Sequence, residues 1–203
     1  MLDICLLGTG GMMPMPSRFL TAMLARLNGR LALIDCGEGT QVTMKMLGWG
    51  FKAIDVICFT HFHADHISGL PGLLLTIGNA GRTEPLMLIG PVGLQRIVEG
   101  LTLIAPELPF SIEYIELTQD APNPISVGAF EIHHCPADHM VKCFAYRIDL
   151  KRKGKFDVKK AERLKLPKPL WNKLQKEGSV EHEGKTYTAD MVMGENRKGI
   201  SVA

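Results

Sequence analysis

Short apolar runs bounded by glycine, proline and polar clusters recur along the chain and predict β-strands. The run that ends at Phe59 is rich in β-branched residues and stops at a group of polar side chains, as a buried strand does where it leads into a loop. Asn28-Gly29 lies between two apolar runs and is a strong signal for a two-residue hairpin turn. The predicted strands cover residues 2–7, 20–27, 31–34, 54–59, 86–89, 110–117, 125–133 and 142–150.

Apolar residues at helical spacing predict helices over residues 40–47, 68–77 and 92–104. The glycine-rich loop at residues 8–19 follows a strand but leads to another strand, which excludes a dinucleotide-binding loop because that motif opens a helix. Strands that alternate with helices, together with several hairpins, favour an α/β fold in which two mixed sheets carry helices on their outer faces.

The amino-acid composition is that of an ordinary globular domain. The chain has 203 residues, of which 46% are hydrophobic and 22% are charged, so one domain can bury a substantial core. No apolar run approaches the ~20 residues needed to cross a bilayer, and the N-terminus lacks a signal-peptide pattern, so we expect no membrane partner. The five cysteines show no Cys-x-x-Cys spacing, which favours reduced thiols in a cytoplasmic protein.

Side chains that bind metals are concentrated directly after the strand that ends at Phe59. His61 and His63 are two residues apart and can converge on one point from extended backbone, and Asp65 and His66 follow and can face a second point nearby. Imidazole and carboxylate are the ligand types that zinc and other borderline divalent metals prefer. Because three of the seven histidines and an aspartate fall within six residues, we interpret this stretch as a metal site rather than a solvated loop.

Positive charge is concentrated in one segment of the chain. The formal net charge is +2, but residues 142–173 hold 12 Lys or Arg against 3 Asp or Glu, whereas the remainder holds 11 against 18. A basic segment on an acidic body is typical of a nucleic-acid footprint, and a solvated lysine-rich surface segment has the same composition.

Four sequence motifs follow one another in a specific order. They are Leu7-Gly-Thr-Gly10, Asp35-Cys-Gly-Glu-Gly-Thr-Gln41, Thr60-His-Phe-His-Ala-Asp-His66 with the apolar continuation to Leu74, and Cys143-Phe-Ala-Tyr-Arg-Ile148. Together they resemble the metallo-β-lactamase superfamily and, within it, the ribonuclease Z family of tRNA 3′-processing endonucleases. The resemblance implies an αββα sandwich that forms a single domain over residues 1–203, with a protruding arm at about residues 151–198.

The resemblance also assigns roles to the candidate metal ligands. It implies that His61, His63 and His139 bind a first zinc ion, and that Asp65 and His66 belong to a second. Asp65 would in addition be the catalytic residue, orienting the attacking water and accepting its proton. Two zinc ions of this kind clamp a scissile phosphate between them.

Three other positions offer alternatives. The resemblance places Asp35 beneath the metal site, where it would support ligand histidines, although an aspartate at this position can also form a turn or cap the next helix. His133 and His134 are a rival ligand pair, but adjacent strand residues face opposite sides of a sheet and cannot share a metal from regular β structure. His182 lies in a polar turn and is expected at the surface.

By the same resemblance, the substrate is precursor tRNA, whose 3′ trailer is removed to leave a tRNA 3′-hydroxyl, and the protein is a homodimer. Arg18 lies in the loop that would help to place the tRNA end, although Pro16 and Phe19 depart from the family's pattern there. The arm would grip the tRNA body through phosphate contacts. Its expected RNA-binding side chains are Lys151, Arg152, Lys153, Lys155, Lys159 and Lys160.

In the family, the aspartate that bridges the two zinc ions and a further histidine lie beyond the position that matches Ala203. We therefore expect the second half of the sandwich to be incomplete and the zinc content to be one ion or none rather than two. We also expect the 203-residue chain by itself to be inactive or nearly so. Two other functions stay open: hydrolysis of small phosphodiesters or esters on the same fold, and RNA binding without catalysis.

Overall fold

A computed structural model describes residues 2–13, 15–105, 107–152, 154–195 and 197–203, with residues 151, 152, 197 and 198 described for their backbone only. The chain divides into two compact units, Met1–Ile148 with Val202–Ala203, and Asp149–Ser201. None of the described helices is long and apolar enough to span a membrane.

Strands and short helices follow one another along the whole chain. The strands are β1 (Leu2–Gly8), β2 (Ala22–Leu27), β3 (Arg30–Ile34), β4 (Ile54–Cys58), β5 (Leu86–Pro91), β6 (Ile112–Leu117), β7 (Ile125–Val127), β8 (Phe130–Ala137), β9 (Cys143–Arg152), β10 (Ser179–His182), β11 (Lys185–Thr188) and β12 (Arg197–Val202). The helices are α1 (Thr40–Leu47), α2 (Ala64–Ile67), α3 (Leu70–Asn79), α4 (Leu94–Leu101), α5 (Val158–Arg163) and α6 (Lys168–Glu177), with 3₁₀ turns at Thr102–Ile104 and Ala189–Val192.

The first unit is built on a six-stranded mixed sheet in the order β1-β2-β3-β4-β5-β6. The first three strands pair antiparallel, and the predicted Asn28-Gly29 turn joins β2 to β3, whereas β3 to β6 run parallel. Parallel neighbours need a crossover connection, and α1, α3 and α4 occupy those connections. The carboxyl ends of β3 and β4 therefore meet at the same edge of the sheet, where Asp35 and Thr60 follow them.

One face of this sheet and the helices share an apolar core. Met44 of α1, Leu73 of α3 and Val98 of α4 are almost completely buried in the same cluster as Leu24 and Leu33 of the sheet. The helices predicted from apolar spacing therefore lie outside the sheet and cover it, as the sequence indicates.

A second sheet has the order β12-β9-β8-β7. The sequence predicts one strand over residues 125–133, but the chain turns at Gly128, which has a left-handed φ of 57°, and this splits the run into β7 and β8. Two bonds tie β9 to the end of β4: Phe144 donates its backbone N–H to the carbonyl of Thr60 (3.0 Å), and the Tyr146 hydroxyl donates to the carbonyl of Phe59 (2.8 Å).

The second unit has its own small core. Ala161, Leu166, Leu174, Val180 and Val192 are buried together, with Phe156 and Trp171 packed against them. The unit contains α5, α6 and the β10–β11 hairpin, and it covers the segment for which the sequence predicts an arm. That this arm protrudes from a single domain stays a prediction.

Candidate metal centre

Three histidines converge where β4 and β8 end. After β4 the chain bends at Thr60, and His63, the first residue outside α2, is extended, with φ −64° and ψ 148°. His61 and His63 lie in this segment between β4 and α2, and His139 reaches them from the loop that follows β8. Among the described residues, these three form the one group of three or more metal-ligand side chains whose donor atoms all lie within 4.8 Å of one another.

Two of the three separations between the donor atoms are close to those around one tetrahedral cation. His61 Nε2 lies 3.0 Å from His63 Nδ1, and His139 Nε2 lies 3.4 Å from the same atom. Two nitrogens bound to one zinc at ~2.0–2.1 Å would lie about 3.3 Å apart in tetrahedral geometry. Three imidazoles also leave a fourth position open, as in catalytic zinc sites. The donor set and these two separations are therefore compatible with a divalent metal such as zinc.

Electrostatics keep the most buried ligand neutral. His61 is 5% exposed, and burial, followed by the charge of His66 and then by the other two histidines of the group, lowers its pKa to about 4. A neutral imidazole has a lone pair to offer, whereas a protonated one would repel a cation. His61 is thus prepared to act as a ligand at neutral pH.

Asp35 lies directly beneath the histidines, buried to 2% exposure. Its carboxylate accepts the Thr60 backbone N–H at Oδ1 (2.8 Å), the Thr60 hydroxyl at Oδ2 (2.8 Å) and His66 Nδ1 at Oδ2 (2.7 Å). The alternative role of Asp35 as a helix cap is wrong, because α1 begins after Gly39 and has no side-chain cap.

Asp65 and His66 lie on α2, which the sequence interpretation treated as part of a loop. Asp65 is buried, and its Oδ2 lies 3.6 Å from His66 Nε2. Burial alone would lower the pKa of His66, but the hydrogen bond to Asp35 and the charges of Asp35 and Asp65 raise it. These two residues lie beside the three-histidine group, and in the described part of the chain they are not joined by a third ligand.

The other candidate residues lie elsewhere or are engaged in contacts of their own. His134 Nε2 lies 3.1 Å from the carbonyl of Pro122 and is not part of the three-histidine group, and His182 lies in the second unit. The Arg18 guanidinium donates to the Thr9 carbonyl (2.8 Å), and Lys160 Nζ donates to the Met193 carbonyl (2.6 Å). Arg18, Lys155, Lys159 and Lys160, all expected RNA-binding residues, are exposed. Lys153 and the side chains of Lys151 and Arg152 lie outside the described residues.

The sequence interpretation missed the side-chain role of Thr60. Its hydroxyl oxygen lies 2.8 Å from Asp35 Oδ2 and 2.9 Å from His61 Nδ1, so it connects the two. Cys143, at the start of β9, was also missed, and its Sγ lies 4.0 Å from His61 Nδ1. The one signal for Thr60 was a hydroxyl residue immediately before the first ligand.

Comparison with known proteins places this geometry in a family. The ribonuclease Z of Lachnospira eligens is 56% identical over 202 residues, which cover 100% of this chain and 66% of that protein. The ribonuclease Z of Clostridium kluyveri is 55% identical over 203 residues, covering 100% of this chain and 67% of that protein. The chain belongs to the ribonuclease Z family. It spans about two thirds of the length of the ribonuclease Z proteins that it matches.

Solved structures agree with the family and confirm the predicted metallo-β-lactamase fold. The short form of human tRNase Z is similar with a TM-score of 0.63 and 30% identity, over 73% of this chain and 64% of that one. YhfI from Bacillus subtilis, described as a metallo-β-lactamase fold protein, has a TM-score of 0.59 and 20% identity, over 72% of this chain and 57% of that one. Residues 2–98 also match the family described as anti-Pycsar protein Apyc1. The three-histidine group of this ribonuclease Z family member indicates a metal site.

Proposed function

We propose that this protein is a zinc-dependent endoribonuclease that removes the 3′ trailer of precursor tRNA and leaves a 3′-hydroxyl on the tRNA. The observation that carries the proposal is the coincidence of two facts. The whole chain is 55% identical to the ribonuclease Z of C. kluyveri, and His61, His63 and His139, to which the resemblance assigns the first metal, present their donor atoms to one point.

The chemistry follows from the side chains at this point. His61, His63 and His139 would hold the first zinc ion, and Asp65 and His66 would contribute to a second. A metal ion held there would supply the chemistry of lowering the pKa of a water molecule toward neutrality and polarising the scissile phosphate. Asp65 is buried beside the histidines and would orient the attacking water and accept its proton. Asp35 would hold His66 through the 2.7 Å bond to its Nδ1.

The basic second unit would bind the tRNA body, away from the site of cleavage. Lys155 and Lys159 are exposed there and can reach phosphates, whereas the ammonium of Lys160 already donates to a carbonyl of its own unit. Phosphate contacts give affinity and register without reading the sequence. We further propose a homodimer that works in the cytoplasm, where its five free cysteines stay reduced.

A cleavage assay with 3′-extended precursor tRNA tests the proposal. We expect at most trace cleavage from these 203 residues alone, because their described part forms one three-histidine group and the resemblance implies a two-zinc site. Joined to the part of the C. kluyveri protein that they do not match, they should cleave. In that longer protein His63→Ala should abolish cleavage, and the control His182→Ala should leave it unchanged.

Each result has a distinct meaning. A longer protein that binds zinc but leaves precursor tRNA intact would contradict the proposed substrate. Robust cleavage by the 203 residues alone would contradict the need for ligands beyond those of this chain. A gel shift of tRNA that is indifferent to metal, with no cleavage by the longer protein, would favour RNA binding without catalysis.

Hydrolysis of a small phosphodiester at the same metal centre is the second candidate function, because the three-histidine group does not by itself distinguish a small phosphodiester from RNA. A small substrate needs no separate basic unit, so the two functions differ in their dependence on Lys155 and Lys159. The comparison is between hydrolysis of bis(p-nitrophenyl) phosphate and cleavage of precursor tRNA by the longer protein. Replacing both lysines should slow only the cleavage of precursor tRNA if the proposed function is correct.

A further inference from the structure

Thr60 is the one side chain in the described part of the chain that lies within hydrogen-bond distance of both the buried carboxylate of Asp35 and the most buried histidine of the metal centre. Its hydroxyl oxygen lies 2.8 Å from Asp35 Oδ2, 3.1 Å from Asp35 Oδ1 and 2.9 Å from His61 Nδ1. Its backbone N–H donates to Asp35 Oδ1 at 2.8 Å. Thr60 is thus held against the carboxylate by two groups at once, and its hydroxyl cannot rotate away without losing its contacts to both Asp35 and His61.

The direction of these hydrogen bonds is fixed by the chemistry of the groups. An ionised carboxylate only accepts, and a hydroxyl has one hydrogen to donate and lone pairs with which to accept. The Thr60 hydroxyl therefore donates to Asp35, and its oxygen can only accept from His61. This requires the proton of the neutral His61 ring to be on Nδ1, which leaves a lone pair on Nε2, the atom 3.0 Å from His63 Nδ1.

We propose that Thr60 is a positioning residue, whose hydroxyl relays the charge of Asp35 to His61 and holds that ring in the tautomer that presents Nε2 to the metal. Asp35 then supports two rings by different routes: His66 by a direct bond of 2.7 Å and His61 through the Thr60 hydroxyl. Groups that fix the tautomer and orientation of a ligand histidine typically change metal affinity by about 10- to 100-fold when removed.

One rival partner for His61 Nδ1 is present. Cys143 Sγ lies 4.0 Å from it, but sulfur is a weak acceptor and this distance is long even for sulfur. If Cys143 were the partner of His61 Nδ1, removal of the Cys143 thiol, and not of the Thr60 hydroxyl, would free the His61 ring. Cys143→Ala is therefore the matched control.

The inference rests on the metal site of the proposed function. Measurements of the zinc affinity of the 203-residue chain test the metal site and the role of Thr60 with different variants. Zn²⁺ is titrated against a chromophoric chelator into the wild type, Thr60→Val, Thr60→Ser, Cys143→Ala and His63→Ala. We expect Thr60→Val, which keeps the shape but removes the hydroxyl, to bind zinc about 10- to 100-fold more weakly. Thr60→Ser and Cys143→Ala should stay close to the wild type in affinity. Loss of binding in His63→Ala verifies the site itself.

A second measurement determines the tautomer of the His61 ring, first in the wild type. Long-range ¹H–¹⁵N spectra of the zinc-free protein at neutral pH distinguish an Nδ1–H from an Nε2–H ring, and His61 should be Nδ1–H. Thr60→Val should shift it toward a mixture, which a role in packing alone would not do. An Nε2–H ring in the wild type, or wild-type zinc affinity in folded Thr60→Val, would overturn the inference. If His63→Ala also binds zinc like the wild type, the proposed site fails with it.

Discussion

Asp35 has an unfavourable backbone conformation, and its carboxylate accepts hydrogen bonds from three donor groups. Its φ of 58° lies in the left-handed region, which aspartate and asparagine tolerate better than other non-glycine residues. Its side chain accepts from the backbone and hydroxyl of Thr60 and from His66. A residue in strained backbone at a buried polar centre is typical of a functional site, where the surroundings hold it in place.

We predict that Asp35→Asn separates the charge of this residue from its conformation. Asparagine keeps the backbone conformation, but one carboxylate oxygen becomes an NH₂ group that faces other donors. Zinc affinity should fall by about 10- to 100-fold, and the free energy of unfolding by about 1–3 kcal/mol. The control is Asp3→Asn, which removes a partly exposed ion pair to Arg26 (2.9 Å); it should cost under ~1 kcal/mol and leave zinc affinity unchanged. Equal zinc affinities in the two variants would contradict the role of Asp35.

The histidines also predict a pH dependence for the metal-free chain. The pKa of His61 is lowered from 6.5 to about 4 in the folded state, so between these values the unfolded chain binds more protons at this residue. Stability should fall as the pH drops through that window, by at most ~1.4 kcal/mol per pH unit. His66 has the opposite sign: its pKa is raised from 6.5, so its contribution is present below that pH and is lost as the pH rises through the raised value.

Chemical unfolding with EDTA at a series of pH values checks these signs. Subtracting the free energy of unfolding of His61→Asn from that of the wild type at each pH cancels the contribution of the carboxylates that both proteins share. The difference in the free energy of unfolding, wild type minus variant, should be flat above pH 6.5 and should fall below it, toward pH 4. In His66→Gln the gain in stability on lowering the pH toward 6.5 should disappear. A difference curve for His61→Asn that does not change within this window would show that the ring is not held neutral.

At the scale of elements, the site depends on two loops whose backbones are in direct contact. Cys36, after β3, donates its N–H to the carbonyl of His66 (2.7 Å), and Gly69, after α2, donates its N–H to the carbonyl of Cys36 (2.9 Å). A Cβ on Gly69 would overlap the carbonyl oxygen of Gly37. The absence of a side chain at Gly69 therefore lets α2 approach the loop that carries Asp35.

Gly69→Ala tests this close approach. Its backbone is right-handed, with φ −77°, so any effect comes from steric overlap and not from conformational restriction. We expect a loss of about 1–3 kcal/mol in the free energy of unfolding, together with weaker zinc binding as the loops separate. Gly100→Ala is the control, because Gly100 lies in α4 and a Cβ there meets no atom within 4 Å. It should be neutral or stabilising by up to about 1 kcal/mol. If both variants have the same free energy of unfolding, the close contact between the loops does not require glycine at position 69.

At the scale of the whole molecule, the proposed metal ligands and the proposed RNA-binding side chains belong to different units of the chain. Each unit has its own buried cluster, one around the six-stranded sheet and one formed by residues of α5, α6, β10 and the 3₁₀ turn after β11. The proposed zinc ligands all belong to the first unit, and the exposed Lys155 and Lys159 belong to the second. The two properties should therefore be separable by mutation.

We predict that the double variant Lys155→Glu and Lys159→Glu binds precursor tRNA more weakly and with a shallower dependence on salt, because fewer phosphate contacts release fewer counterions. Its zinc affinity should equal that of the wild type. Filter binding at several salt concentrations, with EDTA to prevent cleavage, measures the slope. Lys45→Glu, an exposed change of the same kind on α1 of the first unit, should alter both affinity and slope less. An unchanged slope in the double variant would contradict the assignment of RNA binding to the second unit.

Local sequence determined much of this protein. Apolar periodicity marked α1, α3, α4 and most strands of the first unit, because it reflects which face is buried, and the Asn28-Gly29 hairpin was evident from its turn chemistry. The close spacing of His61, His63, Asp65 and His66 indicated a metal site because ligands that are near in sequence stay near in space. Periodicity did not predict the split of residues 125–133 into β7 and β8, because a glycine within an apolar run is compatible with both a strand and a turn.

Only the tertiary structure decided how distant residues meet. His139 Nε2 lies 3.4 Å from His63 Nδ1, although the two residues are 76 positions apart in the sequence. Thr60 contacts Asp35 because β3 and β4 are parallel neighbours whose carboxyl ends lie side by side. Arg82 shows the same limit: a polar residue in a loop, it is almost fully buried, and its guanidinium donates to the carbonyls of Lys52 (2.8 Å) and Glu84 (2.8 Å). Hydrogen-bond partners that come from distant backbone leave no pattern in the local sequence. The local sequence therefore indicates the candidate metal ligands, whereas the fold decides which residues support them.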